Sequence, residues 1–245
     1  MVAKKDLKFI KSLHQKKNRA RHGLFLAEGV KLVGELLGAG FGVHSLYSTD
    51  PGPPGIQTTP ISPGELKKVS TLVQPNKVLG VFEVPEAAPP RFNGWLLALD
   101  GVRDPGNLGT IIRLCDWFGV RDLLCSPDTV DCYNPKTLMA TMGSIARVRV
   151  HYLPLEEVLP ACGLPVYGAS MEGNPLPGAS LPAEGVLVLG SESHGVSAPV
   201  RALLRATLAI PTWGDAGAES LNVGTAAGIF LYEIRRGTPG PTIQK

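Results

Sequence analysis

No apolar run in this 245-residue chain approaches the roughly 18 residues of a membrane-spanning helix. The opening MVAKKDLKFIKSL also lacks the apolar core of a signal peptide. The expectation is a soluble, cytoplasmic protein with no membrane partner. Cysteine is scarce. Cys115, Cys125, Cys132 and Cys162 form no C-x-x-C pair and stand mostly in apolar company, which argues against a disulfide framework, a zinc site or any other bound metal. The second half has no G-x-G-x-x-G after a strand, and no G-x-x-x-x-G-K-[ST] occurs anywhere, so the common nucleotide cradles are missing. The one glycine-rich piece that suggests a cradle, GAGFG at 38–42, follows a helix and precedes a strand, and reads as a helix stop and turn. No histidine follows His194, so the elbow-like Ser193 lacks the downstream base that a serine hydrolase needs. No internal repeat is present.

What is there is globular: 44% hydrophobic and 18% charged residues, enough chain for one large domain or two smaller ones. The net charge of +3 is unevenly spread. Lys4, Lys5, Lys8, Lys11, Lys16, Lys17, Arg19 and Arg21 crowd the start against Asp6 alone. Such a cluster suits phosphate contacts, because neutralising a nucleic-acid backbone releases counterions. A solvated helix face is the other reading.

In chain order, residues 4–14 read as a helix, Lys16 to Gly23 as a polar basic loop, 24–27 as a strand and 28–37 as a helix. Strands at 43–47, 56–60 and 78–84 with a helix near 63–70 complete a small α/β unit. The Pro/Ala-rich piece 85–93 is a natural linker. Strands near 95–99, 121–125, 147–150, 165–169, 186–190 and 207–210 then alternate with helices near 108–118, 135–142, 155–161, 198–205 and 221–236. Alternation of this kind predicts a mostly parallel sheet covered by helices. The division is therefore 1–84, a linker at 85–93, and 94–245.

The stretch Leu97 to Val120 organises the second domain. A buried strand breaks at Asp100-Gly101, a loop carries Asp104, Pro105, Gly106 and Asn107, and a helix begins with Asn107 as its expected N-cap and ends at Gly119. Ile111, Ile112, Cys115 and Phe118 share one stripe, while Arg113 lies about 200° round from Ile111 and leaves the core face. Two more polar or glycine-rich loops follow strands: Gly190 to Gly195, and the long run after Ile210-Pro211.

Together these loops carry a resemblance to the SpoU/TrmH-type RNA ribose 2′-O-methyltransferases of the SPOUT superfamily. The matching pieces are Asn107-Leu108-Gly109-Thr110-Ile111-Ile112-Arg113, then Leu189-Gly190-Ser191-Glu192 with Gly195, then Ile210-Pro211 with Ser220-Leu221-Asn222-Val223. FLAEGVKLVGELL at 25–37 resembles part of the small substrate-binding domain often attached to that family.

The resemblance implies an α/β protein: a trefoil-knotted, mostly parallel-sheet methyltransferase domain preceded by a small α/β RNA substrate-binding domain. It implies methyl transfer from S-adenosylmethionine to a ribose 2′-hydroxyl of structured RNA, with rRNA favoured over tRNA. It further implies a homodimer, with the pocket near the subunit interface. Arg113 takes the catalytic position, with Asn107, Glu192, Ser220 and Asn222 at the other motif positions. Cofactor contacts, largely through main chain, fall at Ala169, Gly190, Ile210 and Leu221. Lys16, Lys17, Arg19 and Arg21 are the candidate RNA contacts. The loop from Ile210 to Ser220 is longer than the family pattern and carries Trp213 and Asp215. A non-catalytic RNA-binding relative and a base-modifying SPOUT enzyme are the competing readings.

Overall fold

The computed structural model describes residues 2–50, 57–214, 217 and 219–236. Asp215 and the first residue of the strand expected at 56–60 lie outside them. The chain forms two compact units, Met1–Ala88 with Asp131–Arg147, and Pro89–Val130 with Val148–Lys245.

The first unit runs α1 (Lys4–Ser12), α2 (Lys16–His22), β1 (Leu24–Glu28), α3 (Val30–Gly38), β2 (Val43–Ser48), β3 (Thr59–Pro60), α4 (Pro63–Val69) and β4 (Val78–Glu83). Its sheet has the order β1-β4-β2-β3, with β4 antiparallel to both neighbours and β3 parallel to β2. Ile10 and Leu13 meet Leu66 and Val69 over Leu26, Leu79 and Val81 in one buried cluster. Ser62 starts α4 with a reciprocal capping box: its hydroxyl accepts from Glu65 N, and Glu65 accepts from Ser62 N.

The stretch 16–23, expected as a loop, is helical. No side chain caps it at Gln15, and what holds it is Arg19, only 4% exposed. The Arg19 guanidinium donates to the carbonyls of Leu13 and His14 at 2.9 and 2.8 Å and pairs with Asp131. Arg19 is thereby withdrawn from the candidate RNA contacts, because a guanidinium turned inward on these acceptors and 4% exposed is not presented to a phosphate. Lys16, Lys17 and Arg21 are exposed.

The second unit begins with β5 (Trp95–Asp100), buried along its whole length, then α5 (Pro105–Trp117) and β6 (Asp122–Cys125). The chain next contributes α6 (Pro135–Thr141) and a 3-10 turn at Ser144–Ala146 to the first unit. There Tyr133 stacks on Phe25 at 4.4 Å, and burial pushes the Tyr133 phenol pKa up. The second unit resumes with β7 (Arg149–Tyr152), α7 (Leu155–Ala161), β8 (Val166–Pro175), β9 (Gly185–Gly190), α8 (Ala198–Arg201), β10 (Ala206–Ala209) and α9 (Val223–Arg235). Its six strands take the order β10-β8-β9-β5-β6-β7, and every pairing is parallel. This is the α/β fold that the alternation predicts. Strand β8 runs further than expected, and its register against β10 slips between Thr207 and Leu208. No helix among the described residues is long and apolar enough to cross a membrane.

Strand order dictates where a ligand can sit. The connections from β5 lead outward through β6 to β7, whereas β9, β8 and β10 lie on the other side of β5. Loops leaving the C-terminal ends of β5 and β9 therefore diverge, which makes this edge of the sheet the expected place for a ligand.

Candidate active site

Asp100 and Gly190 are register partners at those two strand ends. The Asp100 carboxylate, 8% exposed, accepts from Ser197 N at 2.7 Å and so ties the loop after β9 back to β5. That loop closes on itself: Gly195 N donates to Ser191 O at 2.8 Å, and Ser191 N to Gly195 O at 3.1 Å. A Cβ on Gly190 would lie 2.0 Å from the Gly195 carbonyl carbon, so any other residue there would force the loop open.

The loop after β5 is fixed by a second set of bonds. Ser126 Oγ accepts from Gly101 N at 2.8 Å and donates to Asp128 Oδ1 at 2.7 Å. The bond from Ser126, reinforced by Arg103, holds the Asp128 carboxyl below its ordinary pKa against the opposing effect of burial. At the end of this loop α5 starts one turn earlier than its sequence suggested. Asp104, not Asn107, is the N-cap: its carboxylate accepts from Asn107 N at 2.8 Å, and Pro105 fills the first helical position. The far end behaves as expected, with Gly119 in the left-handed region at φ 71°.

Freed from capping, the Asn107 side chain joins all three loops. Its Nδ2 donates to Glu192 Oε1, and its Oδ1 accepts from Asn222 Nδ2 at 2.8 Å. Asn222 in turn caps α9, its Oδ1 accepting from Gly224 N at 3.0 Å and Thr225 N at 3.2 Å. The direction of the chain is forced. The cap needs the oxygen of Asn222, so its NH₂ must face Asn107, whose own NH₂ then faces the carboxylate.

Beside this chain lies a cavity of about 830 Å³, within the size range of small-molecule sites. Ala169, Gly190, Ile210 and Leu221, expected as cofactor contacts, line it, as do Glu192 and Ser220. Its walls are mostly small or apolar: Leu189, Val196, Leu204, Val223 and Phe230 join those residues. Small and apolar residues let main-chain N–H and C=O groups approach a ligand closely. Asn107 and Asn222 adjoin the cavity through Glu192. Met171, Trp213, Leu221 and Ile229 are exposed apolar side chains that also line it.

Two charged cavity residues, Glu172 and Arg201, were not singled out from sequence. Arg201 donates to Val196 O at 3.0 Å. From sequence Asp100 reads only as a strand end. Arg113 is not brought to the cavity: it projects, exposed, from α5, with no hydrogen-bond or ion-pair partner among the described residues. Trp117 follows one helical turn after it on the same side and is 81% exposed. Among the described residues no group of three or more His, Cys, Asp or Glu could hold a metal ion.

Comparison with known proteins bears on this site directly. Residues 94–232 match the SpoU rRNA Methylase family, and residues 4–80 match the MRM3-like substrate binding domain. The chain is 34% identical over 235 residues to the 23S rRNA (guanosine(2553)-2′-O)-methyltransferase RlmP of Bacillus subtilis, covering 92% of this chain and 94% of that protein. Among solved structures, the SpoU methyltransferase AviRb of Streptomyces viridochromogenes in complex with AdoMet superposes with a TM-score of 0.84 at 26% identity, covering 96% of this chain and 98% of that one. An AdoMet-bound rRNA methyltransferase from Sinorhizobium meliloti gives 0.86 at 28% identity, covering 98% and 97%.

Proposed function

The chain belongs to the SpoU rRNA methylase family, and on that footing we propose that ribosomal RNA is its substrate and that the residues gathered at the β5–β9 edge carry the reaction. It is an S-adenosylmethionine-dependent RNA ribose 2′-O-methyltransferase. The observation that carries the assignment of the site is the bonded chain Glu192–Asn107–Asn222, which ties the three motif loops together beside the cavity. Ribosomal RNA is favoured because the near full-length relative from Bacillus subtilis is named for a 23S rRNA nucleotide. A cytoplasmic location is part of the same proposal, supported by the near full-length bacterial relative.

Ala169, Gly190, Ile210 and Leu221 hold the cofactor by main chain, and Ser220 borders it. S-adenosylmethionine supplies a methyl group already activated on a sulfonium sulfur. The protein's task is to align the ribose 2′-oxygen in line with that methyl and to stabilise the charge left as the hydroxyl proton departs. Asn107, Glu192 and Asn222 are positioning residues that set the spacing of the loops around the two reactants. Arg113 acts as a cation, gripping the neighbouring phosphate and the developing alkoxide.

Arg113 stands away from the cavity of its own chain, which points to a second copy. Trp117 shares its face of α5, and Ile229 and Tyr232 are exposed one turn apart on α9, which packs against α5. We assign this apolar face to a homodimer in which Arg113 of each protomer serves its partner's pocket. The catalytic domain is built within 94–245, less the segment 131–147 that packs with the first unit, and carries a trefoil knot, while residues 1–84 form the RNA substrate-binding domain. The return of the chain from the sheet edge at β10 to the Asn107–Asn222 bond supports that threading.

The substrate class is tested by supplying labelled S-adenosylmethionine with purified rRNA and tRNA pools from cells lacking the protein. Label entering rRNA alone is expected. Label entering tRNA alone would overturn the rRNA assignment and leave the ribose reaction standing.

A further inference from the structure

Three rings from three elements meet on the first unit, and the methyl-transfer machinery makes no use of them. Phe9, half-buried on α1, packs against the unit's core. The exposed His22 ring at the end of α2 meets it edge-on, with centroids 5.1 Å apart and planes at 86°. The exposed His44 ring approaches it at 5.8 Å and 42°. His44 stands where β2 breaks register against β4, between Val43 and Ser45, and its Nδ1 lies 3.2 Å from Ser45 Oγ. Phe9 is thus a fixed floor, and the two histidines are rings that the core does not need.

The surrounding charge is mainly positive. Lys5 lies one turn before Phe9 on the same side of α1, while Lys8 and Arg21 precede Phe9 and His22 in sequence and leave their helices about 100° round from them, all three exposed. The acidic groups nearby are Asp6, half-buried, and Glu83, whose side chain lies against Gly42. Exposed rings set among flexible cations match what a single-stranded nucleic acid presents: a π-face on each base and a phosphate between bases. A base paired within a duplex keeps its faces stacked and offers neither ring a surface.

We infer that Phe9, His22 and His44 form a stacking platform for an unpaired RNA base, with Lys5, Lys8 and Arg21 on the flanking phosphates. This rests on the RNA reading above and adds the part of the substrate that the first unit grips: a loop, bulge or single-stranded segment, not a helix.

The test uses the full-length protein and two probes. One is a fluorescein-labelled 12-nucleotide oligoadenylate with a central 2-aminopurine, and the other is the same strand annealed to oligouridylate. The wild type is expected to quench the 2-aminopurine on binding the single strand. His22→Ala with His44→Ala, which spares Phe9 and the core, should weaken single-strand binding by about tenfold or more. The same pair should leave duplex binding and the salt slope unchanged. His22→Phe with His44→Phe should keep single-strand affinity, because stacking needs a ring and not an imidazole. Equal losses on both probes, or no loss on the single strand, would overturn the platform, and the second result would leave these rings as a surface for a protein partner. Methyl transfer to rRNA by the wild type is measured alongside. Transfer without a single-strand defect in the alanine pair refutes the platform alone, and no ribose methylation of any RNA refutes the reading beneath it.

Discussion

Asn107 donates to Glu192 and accepts from Asn222, so a single amide couples loops that are 85 and 115 residues away in sequence. Asn107→Ala would leave the fold in place, since Asp104 keeps the cap, but would uncouple the loops. A displacement of about 1 Å at a reacting centre costs on the order of 10²-fold in rate. We therefore expect kcat to fall by roughly that factor, with cofactor affinity changed much less, as titration calorimetry and single-turnover assays would show. Arg19 and its neighbours make the opposite point. Arg19→Ala should cost about 3 kcal/mol of stability in urea unfolding, because the half-buried Asp131 would lose its ion pair and the carbonyls of Leu13 and His14 their donor. Lys16→Glu, Lys17→Glu and Arg21→Glu together should leave stability nearly unchanged while weakening RNA binding and flattening its salt dependence. A stable Arg19→Ala protein, or an unchanged salt slope in the triple variant, would reverse these assignments. The sequence shows that 16–21 is basic, but which cation is buried depends on a carboxylate 112 residues away.

At the scale of elements, legibility follows burial. Strand β5 was plain from WLLALD, because both faces of a central parallel strand are buried and its run is apolar. The sequence pattern puts the start of α5 one turn late because Asp104 and Asn107 both suit a cap, and Pro105 at the first helical position favours Asp104. Helix α2 leaves no mark in the sequence pattern because its stability comes from the bonds of Arg19, not from any amphipathic stripe. Strands β6 and β7 yield a pH prediction. Burial raises the Asp122 pKa, but hydrogen bonds from Arg149 and His151 outweigh it and hold the carboxyl below its ordinary value. A depressed folded-state pKa contributes stability that is complete above the unfolded value, near 4, and is lost as pH falls through the folded one. Asp122→Asn should therefore reduce stability at pH 7 and flatten the acid limb of the stability–pH curve below about pH 4. An unaltered acid limb would show that this triad does not govern it.

At the scale of the whole molecule, the two-part organisation was visible in the Pro/Ala-rich linker and the change to regular β/α alternation. The allegiance of residues 131–147 was not. Tyr133 stacked on Phe25, and Asp131 bound to Arg19, attach that segment to the first unit. No periodicity within α6 records which surface it covers, since helical spacing defines a face and not its partner. The site was more legible than the assembly, because small residues at strand ends and polar residues after them are local features. Arg113 could be singled out from its motif, yet its remoteness from the cavity appears only in three dimensions. The most direct measurement digests the methyl-labelled RNA to nucleosides, for the wild type and for Arg113→Ala. The account predicts label on a 2′-O-methylnucleoside with the wild type, and its loss with the variant while S-adenosylmethionine binding persists. Label on a base, or full activity without Arg113, would contradict it.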